Sequence, residues 1–80
     1  MGGRKPTVED VEILRIFALS ADPALFTTDL TDDLGMSQQG VYNRLDELSD
    51  RGLLATKKRG NCRIWWLAER GRQELAAAES

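Results

Sequence analysis

The segment from Met36 to Leu54 constrains the fold most, because a helix start, a buried face and a helix stop follow one another in it. Ser37 is a favourable N-cap, since its hydroxyl can accept a hydrogen bond from the first helical turn. Gly52 suits the left-handed conformation that commonly ends a helix. The apolar positions between them follow the i, i+4, i+7 spacing of one buried stripe: Val41, Leu45 and Leu48. The segment therefore predicts a helix over 37–51, and the two leucines after the stop begin a strand.

Length and composition exclude several classes of protein. With 80 residues, the chain forms one domain at most. It has one cysteine, Cys62, and no histidine, which excludes an intrachain disulfide, most metal sites and most nucleophilic catalysis. We therefore expect neither an enzyme nor a bound cofactor or metal. No apolar run reaches the length of about 20 residues that crosses a bilayer, and no signal-peptide core is present. A cytoplasmic protein without a membrane partner is the expectation.

Positive charge is concentrated in one part of the chain. The formal net charge is −2, which by itself argues mildly against a nucleic-acid partner. Residues 36–66, however, carry six basic and three acidic groups, whereas the remainder carries five basic and ten acidic groups. The local excess of positive charge is the pattern expected of a surface that contacts phosphates.

The first half of the chain predicts two more helices. Residues 1–6 are expected to be a flexible arm, and residues 7–80 a single domain. Helix 1 is predicted over about 8–20, starting at a capping box that begins with Thr7. A very short strand over 25–27 precedes helix 2, predicted over about 28–34 with Thr27 or Thr28 as its cap. Helix 1 carries two apolar patches, a broad one and a smaller one on nearly the opposite side. The broad patch comprises Val11, Ile13, Leu14, Phe17 and Ala18, and the smaller one comprises Val8, Ile16 and Leu19.

The second half predicts a β-hairpin and a last helix. Strands over 53–58 and 62–67 flank Gly60-Asn61, a turn dipeptide. Adjacent residues of a strand face opposite sides of the sheet. Leu67 is expected in the core, so Trp65, two residues earlier, is expected there too. Trp66 then lies on the other face, where its role stays open. The composition after Ala68 predicts a helix to about residue 78.

The whole pattern resembles the winged helix-turn-helix family of transcription regulators. The element order is α-β-α-α-β-β-α, a mainly α protein with a small β-hairpin (α+β). The resemblance rests on three stretches: Leu34-Gly35-Met36-Ser37, then Val41 to Leu54, and Trp66-Leu67-Ala68-Glu69-Arg70-Gly71. The last stretch commonly reads Leu-Thr-Glu-x-Gly in the family, and Ala68 here replaces the threonine that would cap the helix. The small size and acidic flanks are similar more narrowly to phage-repressor-like winged-helix proteins of halophilic archaea.

The resemblance implies double-stranded DNA as the partner. Helix 37–51 would enter the major groove by its N-terminal end, and hairpin 53–67 would be the wing. Amide side chains match the adenine edge bidentately, so the candidate base contacts are Gln38, Gln39, Tyr42 and Asn43. Cationic side chains, the N–H groups at the helix start and the hairpin turn are suited to contact the phosphates of the DNA backbone. The candidate phosphate or wing contacts are Ser37, Arg44, Lys57, Lys58, Arg59, Asn61 and Arg63. Taken alone, polar residues on a helix would be explained better by simple solvation, and a solvated hairpin tip is also common.

Two questions stay open at this point. Regulators of this kind often dimerise through terminal helices, which implies a homodimer with Val8, Ile16, Leu19 and Leu75 in its interface. A monomer is the alternative. The function implied is a sequence-specific transcriptional regulator, most simply a repressor. The alternative function is a winged-helix protein-interaction module in a larger assembly, because a fold does not determine a function.

Overall fold

The computed structural model describes residues 9–79 and contains four helices and one small antiparallel sheet. In chain order the elements are α1 (Asp10–Leu19), β1 (Leu25–Phe26), α2 (Thr27–Leu34), α3 (Gln38–Asp50), β2 (Leu54–Arg59), β3 (Cys62–Leu67) and α4 (Glu69–Ala78). The predicted order and the α+β class are confirmed, and the domain is winged-helix-like. The predicted arm 1–6, and Thr7 and Val8, lie outside the described residues. Within residues 9–79, no helix is long and apolar enough to cross a membrane.

The helix starts differ from the prediction by one or two residues for a physical reason. α1 is capped by Glu9, whose backbone N–H donates to the Glu12 carboxylate at 3.1 Å. α2 begins at Thr27 because the Asp29 carboxylate accepts from the backbone N–H of Phe26 at 2.9 Å. Neither predicted threonine caps α2, so that prediction was wrong.

The start and stop predicted around α3 are both present. Ser37 is the N-cap, and its hydroxyl accepts from the backbone N–H of Gly40 at 3.1 Å. α2 ends at Gly35, whose φ of 63° lies in the left-handed region that glycine favours. This glycine allows the sharp turn from α2 into α3, which sets the direction of α3.

The sheet has the order β1-β3-β2, with β3 in the centre. β1 and β3 pair Leu25 with Trp65, and β2 and β3 pair Arg59 with Cys62 beside the Gly60-Asn61 turn. The hairpin is buried at its base and exposed at its tip. Only the tip of the wing therefore extends beyond the core.

The core lies between the four helices and the inner face of the sheet. Its buried apolar residues are Ile13, Leu14, Phe17, Leu25, Leu30, Val41, Leu45, Leu48, Leu53, Leu54, Trp65, Leu67 and Leu75. Trp65 is fully buried, as predicted, and its indole N–H donates to the Thr27 hydroxyl at 2.9 Å. Trp66 is half-buried on the opposite face of the sheet and borders a shallow groove with Phe17, Pro23 and Arg72.

α4 packs on α1 at the back of the domain. Ala68 precedes α4 without a side-chain cap, and its backbone N–H donates instead to the carbonyl of Leu53 at 3.1 Å. Gly71 brings α4 so close to Leu53 that a Cβ at this position would lie 2.1 Å from the Leu53 carbonyl oxygen. Close approach thus explains the glycine in the stretch from Trp66 to Gly71.

Candidate nucleic-acid interface

The exposed ridge of α3 points away from the core. Gln39 and Asn43 lie on this ridge one helical turn apart, and the Gln39 amide donates to the Asn43 side-chain oxygen at 3.0 Å. Both side chains are exposed, and each amide retains donors or acceptors beyond this bond. The pair therefore presents a fixed pattern of hydrogen-bonding groups near the start of the helix.

Tyr42 has a different environment from the other candidate base contacts. Its ring is half-buried and meets the ring of Trp65 edge to face, with centroids 5.7 Å apart and an interplanar angle of 76°. The guanidinium of Arg63 lies 5.8 Å from the Tyr42 centroid and 5.9 Å from that of Trp65. Such cation–π contacts hold the wing against α3. Tyr42 and Arg63 thus position the wing relative to α3.

A groove of about 450 Å³ separates the start of α3 from the wing. It brings together five predicted site residues: Gln38, Gln39, Tyr42, Asn61 and Arg63. It also includes four residues that the sequence reasoning did not single out as contacts: Phe26, Thr27, Thr28 and Cys62. Phe26 and Thr27 reach the groove because β1 pairs with β3, and no local sequence signal indicates that pairing. Cys62 is an exposed free thiol at the edge of the groove.

The wing tip is strongly cationic. Lys57, Lys58 and Arg59 are exposed, and Lys58 is paired directly across the hairpin from Arg63. Like charges opposite one another destabilise an antiparallel pair. Within residues 9–79, no wing cation forms an ion pair with a carboxylate. An anionic partner would relieve this repulsion.

Arg44, predicted as a phosphate contact, lies on the other flank of α3 and is paired within the chain. Its guanidinium donates to the Asp10 carboxylate at 2.8 Å, and the guanidinium of Arg51 donates to the second oxygen of Asp10 at 2.6 Å. The hydrogen bond from Arg51 is the main cause that lowers the pKa of Asp10 below its ordinary value of 3.8, while partial burial opposes it. The same contact raises the pKa of Arg51. The sequence reasoning included neither Asp10 nor Arg51 among the candidate site residues.

The predicted dimer residues separate in the structure. Leu75 is 7% exposed and packs in the core of its own chain, so it is not available at the surface for a partner. Ile16 is partly buried against the same core, whereas Leu19 is 78% exposed. Val8, the fourth residue of the predicted interface, lies outside the described residues. Of the other three, only Leu19 has a side chain that is mostly exposed.

This arrangement, in which α3 lies beside a basic hairpin, is winged-helix-like, and three solved structures have a similar fold. A possible transcriptional regulatory protein from Mycobacterium bovis superposes with a TM-score of 0.68 at 19% identity, over 82% of this chain and 72% of that one. The AntR antimony-specific transcriptional repressor gives 0.65 at 28% identity, over 88% of this chain and 64% of its own. A Mycobacterium tuberculosis protein superposes with a TM-score of 0.65 at 25% identity, over 89% of this chain and 71% of its own. No protein-family model matches the chain, and no curated protein matches it either.

Proposed function

We propose that this protein is a transcriptional regulator that binds double-stranded DNA, with α3 in the major groove and the β2–β3 hairpin on the adjacent backbone. The observation that carries the proposal is the groove between the start of α3 and the wing. Amides at Gln38 and Gln39 border one side of it, and the cationic wing with Asn61 and Arg63 borders the other. Amides match base edges, and cations match phosphates. The similarity of the fold to two regulators supports the same conclusion.

Within this proposal the residues have different tasks. Gln39 and Asn43 form the exposed pair that reads bases, with Gln38 beside them, while Lys57, Lys58 and Arg59 contact phosphates. Ser37 and the first turn of α3 offer N–H groups to a phosphate as well. Tyr42 and Arg63 contribute mainly by holding the wing in place, because each is already packed against an aromatic ring.

The experiment that tests the proposal is selection of bound duplexes from a random DNA pool, followed by affinity measurements with matched variants. Gln39→Ala should weaken binding to the selected sequence only, by about 1–3 kcal/mol if it makes a bidentate base contact. Arg59→Ala should weaken binding to all duplexes and reduce the log–log salt slope by about 0.9. Gln73→Ala and Arg72→Ala are the controls, because these residues are exposed on α4 at the back of the domain.

The outcomes distinguish the two candidate functions. If Gln39→Ala and Arg59→Ala bind like their controls on every sequence, this surface does not read DNA. If the parent binds no duplex at micromolar concentration and low salt, a protein-interaction module is favoured. The exposed apolar side chains of Leu19 and Phe26 would then be the first candidates for its working surface.

A homodimer that acts as a repressor is the finer form of the proposal. Two copies would present two α3 helices to half-sites of a palindrome. Leu19, on the exposed side of α1, is the residue to test, with Leu19→Glu expected to shift a dimer to monomer in light scattering. Unchanged mass would exclude Leu19 from any interface. The narrower resemblance to proteins of halophilic archaea predicts DNA binding that persists in molar salt.

The antimony specificity of AntR is not extended to this chain. Soft thiolate ligands suit such ions, and this sequence has a single cysteine. In the part of the chain that the structure describes, no group of three potential metal-ligating side chains comes together.

A further inference from the structure

Asp10, the first residue of α1, connects that helix to the middle of α3 and to the residue that caps its C-terminal end. Its two carboxylate oxygens are shared between two guanidinium groups, with Oδ1 bound by Arg44 at 2.8 Å and Oδ2 bound by Arg51 at 2.6 Å. The two arginines are seven residues apart, which places them about two helical turns apart on one side of α3. One anion thus holds two cations in a row along the helix that is proposed to read DNA.

This row lies on the flank of α3 opposite the wing. Each residue turns about 100° around a helix. Tyr42 follows the core residue Val41 and faces the wing, whereas Arg44 precedes the core residue Leu45 and faces α1. The wing cations and the pair Arg44–Arg51 therefore border α3 on opposite sides.

A helix in the major groove has a phosphate backbone on each side of it. The wing serves one side. On the other side, the guanidinium groups are arranged for an oxyanion, because a carboxylate already bridges them and guanidinium binds carboxylate and phosphate with the same geometry. The cluster is also accessible, since the side chains of Arg51 and Asp10 are 49% and 38% exposed.

We propose that Arg44 and Arg51 form a second phosphate-contacting surface, and that Asp10 occupies it in the free protein as a substitute for a DNA phosphate. This inference rests on the proposed DNA-binding function. It adds a contact with the second phosphate backbone beside α3, and it makes Asp10 a competitor of the phosphate for the two arginines. Asp10 then lowers the affinity for DNA of any sequence, because a phosphate must displace its carboxylate or share the two arginines with it.

The test is the DNA affinity of Asp10→Asn against salt concentration. The variant should bind every duplex several-fold more tightly than the parent at low salt. Each additional phosphate contact makes the affinity fall about a further 3.5-fold between 50 and 200 mM salt, from a slope of about 0.9 per phosphate. Asp22→Asn is the matched control, because it makes the same charge change beyond the other end of α1, where Asp22 is exposed.

Two further variants separate phosphate contact from a purely structural role. Asp10→Asn combined with Arg51→Gln should lose most of the gain in affinity. Arg51→Gln alone should weaken binding to all duplexes and flatten the salt slope, while far-UV circular dichroism shows that the domain is still folded. A purely structural role predicts no gain in affinity for Asp10→Asn, because the lower Tm that follows from losing the ion pairs is expected in either case.

The results overturn the two proposals separately. If the parent binds DNA and Asp10→Asn binds no more tightly than Asp22→Asn, the second surface is wrong and the proposed function stands. If Arg51→Gln keeps the parental affinity and slope, the second surface is likewise wrong. If neither parent nor variants bind DNA, both proposals fail together.

Discussion

Replacing Gly71 with alanine tests how tightly α4 is attached to the domain. The added methyl would lie 2.1 Å from the carbonyl oxygen of Leu53 and 2.9 Å from a methyl of Leu67. Ordinary contacts of carbon are near 3.5 Å, so α4 and Leu53 must separate by more than about 1 Å. The backbone of Leu53 cannot easily move, because its N–H donates to Leu48 and its carbonyl accepts from Ala68.

The expected cost follows from three contributions. Alanine gains about 1 kcal/mol over glycine inside a helix. Overpacking against a fixed neighbour costs about 1–3 kcal/mol. Loss of the hydrogen bond from Ala68 to Leu53 costs about a further 0.5–1.5 kcal/mol. The net destabilisation is about 0.5–3.5 kcal/mol, which lowers the Tm of a domain of this size by about 2–28 °C.

Thermal unfolding followed by far-UV circular dichroism measures this effect, and Gly40→Ala is the matched control. A Cβ at Gly40, also inside a helix, would meet only the ends of two side chains, the Ser37 hydroxyl at 3.3 Å and the Met36 methyl at 3.4 Å. Its Tm should therefore stay the same or rise. A Gly71→Ala variant that melts at or above the parental Tm would refute the close approach of α4 to Leu53.

Three other predictions follow from single contacts. Thr27→Val should lower the free energy of unfolding by about 1–3 kcal/mol in urea titrations, because it leaves the buried indole N–H of Trp65 without an acceptor. Thr27→Ser keeps the hydroxyl and should therefore keep most of the parental free energy of unfolding. The ion pairs of Asp10 stabilise the fold above the ordinary carboxyl pKa of 3.8 and are lost as pH falls through its lower folded pKa. The Tm difference between parent and Asp10→Asn should thus be constant near neutral pH and vanish in strong acid; a difference that persists there contradicts the assignment. A bulky maleimide on Cys62 should weaken DNA binding, and bound DNA should slow the labelling; equal rates with and without DNA would place Cys62 outside the interface.

Local chemistry explains why α3 and the β2–β3 hairpin were predictable from sequence. The cap at Ser37, the glycine after α2 and the stripe of Val41, Leu45 and Leu48 all act within a few residues of one another. The predicted helix 37–51 and the observed Gln38–Asp50 differ only in whether the caps are counted. The strand predicted over 62–67 has the observed bounds, because a two-residue turn determines where the second strand starts.

The remaining features depend on residues far apart in the chain. Asp10 meets Arg44 and Arg51, which are 34 and 41 positions away, and nothing near Asp10 indicates this. Leu75 shows the same limit. Periodicity indicates that its side chain must be covered, but not whether its own chain or a second copy covers it. In the structure the chain itself does so.

The exposed tip of the wing can change in sequence without affecting the stability of the fold. From Lys57 to Asn61 every side chain is exposed, and none of these residues belongs to the core. Loop tips of this kind tolerate insertion and replacement at little thermodynamic cost. Duplicated copies of such a gene can therefore change the length and charge of the tip, and with them the stretch of DNA backbone that the proposed interface would cover, while Trp65 and its neighbours stay the same.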